Sequence, residues 1–188
     1  MMTVGNISLL DLPKHGFLCS RCTQSSVILP CLDWAVAYAK GREPIISTFH
    51  SKMEESILDM LYNGTCPIIL VLGRKPYKVM PDKLQKLIES NRLLFVSISD
   101  QSRISRESAL LCNEYICNQS DDLIFGSRTR RCRSMCMDSK RNLIILNLNR
   151  TIMKIETKGI FEALPNCLSL QEIIESLDSR NYDERSAI

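Results

Sequence analysis

The chain has 188 residues, 45% of them apolar and 24% charged, with a net charge of +3. That is enough for one core of ordinary size plus an appendage, too little for two full domains, and far less basic than a dedicated duplex-DNA reader. No run approaches the roughly eighteen apolar residues of a membrane span. Met1 to Leu12 lacks the basic and apolar regions of a secretory signal, so a cytoplasmic protein is expected, its nine cysteines serving as reduced, buried thiols.

Apolar runs of strand length alternate with helical patterns, the signature of a mainly parallel sheet with crossover helices. The first run is Gly16 to Cys19. Ser25 to Lys40 follows with Ile28, Leu32, Ala35 and Ala39 on one face and Gly41 as a stop, which predicts a helix. Pro44 to Ser47 is the second strand, and a polar turn with one of the two histidines leads into a helix over Lys52 to Tyr62 that ends at Asn63-Gly64. Ser51 and Glu54 have the spacing of a capping box, which starts that helix at the turn.

Pro67 to Leu72 and Leu93 to Ile98 lack alternation, as strands covered on both faces do. Pro81 to Glu89 between them has proline in its first turn and Leu84, Leu87 and Ile88 on one stripe. Arg103 to Asn118 is the fourth helix; Asp122 to Phe125 and Leu143 to Leu148 complete about six strands. The segment Ser127 to Lys140 has weak periodicity. The expectation is an α/β, doubly wound, Rossmann-like domain over residues 1–150, its mostly parallel sheet carrying helices on both faces. Residues 151–188 form an appendage: an alternating strand at Thr151 to Thr157, a short helix at Ser169 to Leu177 and a frayed tail.

The turn after the second strand is the place to look for function. Amides at a helix start and the positive end of the helix dipole favour an anion, and open α/β folds bind ligands beyond the carboxyl ends of their strands. No Gly-x-Gly-x-x-Gly and no Gly-x-x-x-x-Gly-Lys-Ser/Thr occurs, which excludes the standard dinucleotide and Walker fingerprints. Cys19-x-x-Cys22 with Cys132-x-x-x-Cys136 is not a strong zinc signature, and no helix start fitting a thioredoxin-like role follows Cys19 directly. Neither metal nor cofactor is expected. Four arginines in six residues, Arg128, Arg130, Arg131 and Arg133, suit a phosphate-tracking surface but carry no interleaved aromatics.

Phe17-Leu18-Cys19-Ser20-Arg21, Asp33-Trp34-Ala35, Ser47-Thr48-Phe49-His50-Ser51, Met53-Glu54-Glu55 and Asn91-Arg92-Leu93-Leu94 together resemble the Rossmann-like DNA-processing protein A (DprA/Smf) group. The likeness is to its short bacterial relatives, in the superfamily that also holds the lonely-guy-type nucleotide hydrolases, and it covers Phe17 to Leu146. It implies a pocket for a nucleotide or single-stranded-DNA phosphate above the carboxyl ends of the first three strands. Ser20 and Arg21 would line it from the first turn, Ser47, Thr48, Phe49, His50 and Ser51 with Glu54 from the second, and Gly73 and Arg74 from the third. Asn113 keeps half of an Arg-Asn pair, with Cys112 in place of the arginine. Thr48 stands where such relatives usually have glycine, and Ser127 to Arg133 replaces the hydrolases' glycine-rich turn.

The resemblance implies binding of single-stranded DNA in DNA processing or recombination, without evident catalysis. Two other readings stay open: a nucleotide N-glycosidase using Glu54 or Glu114, and a nucleotide-sensing domain. An exposed alternating strand beside an apolar-striped helix also points to a homo-oligomer, most simply a homodimer.

Overall fold

The computed structural model describes residues 1–126 apart from 20, 22 and 24, together with the backbone of two later strands. Contacts divide the chain into Met1–Thr157 and Lys158–Ile188, and every described residue lies in the first unit. The elements in order are β1 (Met2–Gly5), a 3-10 turn (Ile7–Leu10), β2 (His15–Leu18), α1 (Ser25–Tyr38), β3 (Ile45–Ser47), α2 (Lys52–Tyr62), β4 (Ile68–Leu72), α3 (Asp82–Glu89), β5 (Leu93–Ser97), α4 (Arg106–Gln119), β6 (Asp122–Phe125), β7 (Asn142–Leu146) and β8 (Ile152–Ile155).

All described strands join one mixed sheet in the order β1-β5-β4-β3-β2-β6-β7-β8. The six from β2 to β7 run parallel to their neighbours. These are the six strands read from the sequence, each end within two residues. The edges are antiparallel: β1 pairs Met2 with Ser97 and Gly5 with Leu94, and β8, from the strand expected at Thr151 to Thr157, pairs Leu143 with Ile155. β1 escaped the sequence reading because all four of its residues are exposed; the open edge of β5 makes it a strand, with no apolar pattern of its own. The segments Ser127 to Lys140, Ser169 to Leu177 and Asn181 to Ile188 lie outside the described residues.

Every residue of β4 and β5 is buried, and alternation along the strands sends their side chains into two clusters. Phe17, Ile45, Ile68, Leu70, Leu93 and Phe95 pack with α1, α2 and α3. Leu18, Ile46, Ile69, Leu94 and Leu123 pack with Cys112, Ile116 and Cys117 of α4. The helical stripes behave as their spacing dictates: Met53, Ile57 and Leu61 of α2 and Leu84 and Leu87 of α3 are buried. α4 starts three residues later than expected because Ser105 and Ser108 cap it reciprocally, each hydroxyl accepting the other residue's amide.

The strand order sets the functional geometry. From β2 the chain steps outward through β3, β4 and β5, then returns over α4 to place β6 on the other side of β2. Connections leaving in opposite directions open a crevice at the carboxyl ends of β2 and β6, where doubly wound sheets bind ligands. The turns after β2 and β3 leave from this end of the sheet.

Candidate functional site

The turn after β3 is organised by one buried carboxylate. Ser51 N-caps α2: its hydroxyl accepts the Glu54 amide at 3.2 Å and the Glu54 side chain returns to the Ser51 amide at 3.2 Å, the capping box expected from the spacing. Glu54, only 3% exposed, does more than cap. Its Oε2 also accepts the His50 amide at 2.8 Å and the Thr48 hydroxyl at 3.0 Å, and its Oε1 accepts the Cys19 amide at 2.9 Å from the turn after β2. Two turns far apart in sequence are thus clasped by one side chain. The amides of His50 and Ser51, which the helix start would offer to an anion, are already donated to the protein's own carboxylate.

The remaining residues divide by exposure. Ser47 is fully buried, its hydroxyl accepting the Phe49 amide at 3.3 Å. Phe49 is buried in the α1–α3 cluster and holds φ of 51°, a left-handed conformation uncommon for a bulky side chain. The turn therefore stores strain of about 1–3 kcal/mol, compensated by the packing of the ring. Where relatives of the resembled family place glycine, this chain has Thr48, whose hydroxyl serves Glu54. His50 is exposed; its Nδ1 lies 2.9 Å from the Thr48 carbonyl, so Nδ1 carries the proton and donates. Nε2 is then an acceptor in the neutral ring and becomes a donor on protonation.

Arg21 is exposed on the turn after β2. Arg74, half-buried after β4, lies with its guanidinium carbon 4.4 Å from the Tyr77 ring centre; Tyr77 meets Phe95 edge-on. The Arg74 carbonyl accepts the Ser97 hydroxyl at 2.6 Å, so backbone and side chain are both held. Gly73 is buried against Ser108 and Cys112 of α4. Asn113 sits midway along α4, whose buried residues pack in the other cluster from α2. Among nearby aromatic side chains, Phe49 and Phe125 are buried and Tyr77 is partly open. Ser20, Arg128, Arg130, Arg131 and Arg133 lie outside the described residues.

The second histidine serves the opposite end of the sheet. At the start of β2, His15 Nε2 is 2.6 Å from Glu43 and Nδ1 is 3.3 Å from Asp122 of β6. A cavity of about 500 Å³ opens at the end of β5, lined by Met1, Met2, Ser97, Asp100, Ser105 and Glu107 among others. The Ser105 hydroxyl holds the Glu107 carboxyl below its usual range, so this wall is negatively charged and unsuited to phosphate. Among the described residues no cluster of metal-ligating side chains occurs, and no helix is long and apolar enough to cross a membrane.

Sequence reasoning named Glu54 but not its reach to the neighbouring turn, and it missed Gly126. Glu54 was legible as a cap, but its bond to the Cys19 amide joins residues 35 apart, which no local pattern records. Gly126, directly after β6, donates its amide to the Leu18 carbonyl and lies against Phe17, Cys19 and Cys31.

A six-stranded parallel core, antiparallel edges and a switch point between β2 and β6 define a Rossmann-type α/β protein. More narrowly, the chain has the DprA-like form of that fold. It superposes on DNA processing protein A from Streptococcus pneumoniae with a TM-score of 0.61 at 16% identity, covering 76% of this chain and 53% of that one. The chain thus spans about half the length of that protein. DNA processing protein A from Helicobacter pylori, described for its single-stranded DNA binding mode, gives 0.60 at 17% identity over 95% of this chain and 86% of that one. The molybdenum cofactor binding protein from Rippkaea orientalis gives 0.52 at 12% identity, covering 89% and 96%. No protein-family model and no curated protein matches the sequence.

Proposed function

We propose that this protein binds the phosphate of a nucleotide or of single-stranded DNA in the crevice at the carboxyl ends of β2, β3 and β6, as a DNA-processing or recombination factor. The observation that carries the reading is the switch point itself, flanked by two turns that Glu54 clasps together and by arginines on the turns after β2 and β4. The doubly wound form, with helices on both faces, is supported by the two separate clusters. The fold shared with the DprA structures supports nucleic acid over other anions.

Because Glu54 takes the helix-start amides, the positive contacts fall to side chains. Arg21 and Arg74 supply charge-assisted bonds to phosphate, Arg74 pre-oriented by Tyr77, and His50 adds a donor when protonated. The resemblance assigns Ser20, Asn113, Arg128, Arg130, Arg131 and Arg133 to the same phosphate-binding role, and this reading keeps them as candidates. With it we propose a cytoplasmic homo-oligomer, a domain over residues 1–150 followed by a C-terminal segment over residues 151–188 whose first strand, β8, pairs with β7.

The N-glycosidase alternative has less support. Glu54, its natural carboxylate, is buried and engaged by four donors, and Glu114 is exposed on α4, away from the turn.

The test is fluorescence anisotropy of a short labelled oligonucleotide at low salt, with nucleoside monophosphates as competitors. Arg21→Ala and Arg74→Ala should each weaken binding several-fold and lower the slope of log affinity against log salt by about one, with thermal melting unchanged. Unchanged affinity in both variants would remove the site from this crevice.

A further inference from the structure

Cys19, half-exposed at the end of β2, and Cys31, fully buried in α1, face the same glycine. A Cβ built on Gly126 would lie 2.9 Å from Cys19 Sγ and 3.0 Å from Cys31 Sγ. Those two distances bound the separation of the sulfurs at about 5.9 Å, and the space between them is open only because residue 126 has no side chain. We propose that Cys19 and Cys31 are an oxidation site, forming a reversible intramolecular disulfide that ties the end of β2 to α1.

The chemistry follows from the difference in burial. Cys19 is reached from solvent, its sulfur resting 3.3 Å from the Thr23 hydroxyl. Cys31 is enclosed, its sulfur directed at the Gly126 carbonyl at 3.8 Å; burial, with the neighbouring Cys19 adding to it, pushes its thiol up to about 12. Cys19 is therefore the attacking thiolate. With a glutathione disulfide as oxidant, Cys19 sulfur bonds to one glutathione sulfur and the other glutathione leaves as thiolate, taking up the proton Cys19 lost. Cys31 then attacks the Cys19 sulfur, gives its proton to the second departing glutathione, and completes the bridge. The protein loses two hydrogen atoms and the oxidant gains two. Bond formation needs the sulfurs to close to about 2.05 Å, which rotation of the half-exposed Cys19 side chain away from Thr23 begins.

The bridge would close a loop from residue 19 to residue 31 that contains the turn bearing Arg21. It depends on the thiol geometry alone, so its outcome is independent of whether that turn binds phosphate.

The test is incubation of the full chain with oxidised glutathione, alkylation of the remaining thiols, and mass mapping of tryptic peptides. The expected product is peptide 15–21 joined to peptide 22–40, two hydrogens lighter than the sum of the reduced pair and reversed by dithiothreitol. Cys22→Ser should keep the link, since Cys31 is then the only thiol in the second peptide. Cys31→Ala should lose it and stop at the glutathione adduct on Cys19; circular dichroism checks that this variant is folded. A wild-type protein that accumulates only the adduct or stays unmodified would overturn the proposal. So would a link that survives Cys31→Ala or disappears in Cys22→Ser.

Discussion

Glu54 shows how much one side chain decides. A carboxylate in water keeps its hydrogen bonds cheaply; a buried one must find donors in the protein, and Glu54 finds them in the Cys19, His50 and Ser51 amides and the Thr48 hydroxyl. Removing it leaves buried amides without acceptors. Glu54→Ala is expected to cost about 3 kcal/mol in urea unfolding, well above the roughly 1 kcal/mol expected for Ser51→Ala, which removes only the cap hydroxyl. Equal costs for the two variants would show that Glu54 does no more than cap the helix. Sequence spacing told of the cap because Ser51 and Glu54 are three apart; it was silent on the clasp because Cys19 is brought to Glu54 only by the pairing of β2 with β3.

Between elements, Arg92 ties the end of α2 to the approach of β5. It precedes β5, follows Asn91 at φ of 57°, a conformation that asparagine tolerates better than most residues, and sends one guanidinium nitrogen to the carbonyls of Leu61 and Cys66, each at 3.0 Å. One of these is at the carboxyl end of α2, where the helix leaves carbonyls unsatisfied and favours a positive charge. Arg92→Ala is expected to cost about 2 kcal/mol by chemical denaturation. Arg92→Lys is expected to recover less than half of that, because a lysine ammonium ends one bond short of the Nη2 position that reaches both carbonyls; full recovery would mean that charge alone is at work.

At the scale of the whole molecule, the thiols couple stability to pH. Burial raises Cys31, Cys66 and Cys112 from 9.0 to about 12 each. The unfolded chain ionises these thiols first, so between pH 9 and 12 it binds fewer protons than the folded protein. Stability is therefore full below pH 9 and falls as pH rises through that window, with a limiting slope of about 1.4 kcal/mol per pH unit for each thiol. Urea midpoints measured from pH 8 to 10 should drop, and replacing Cys66 and Cys112 with alanine should flatten the drop. A midpoint constant across that range would contradict the burial of these groups.

Amino-acid order alone determined the parallel core, because strands covered on both faces are continuous apolar runs, as in Pro67 to Leu72 and Leu93 to Ile98, and amphipathic helices repeat at their own period. It also marked the capping box and the turn it starts, because those depend on residues within four of each other. Only the tertiary structure decided that β1 is a strand, since its four exposed residues gain their pairing from the edge of β5. Likewise, only folding brought Cys19 to Glu54 and Gly126 between two sulfurs. Local sequence encodes propensity and amphipathic face; the crossing over α4 that sets β6 beside β2 is what assembles the crevice, and that is a property of the chain's path.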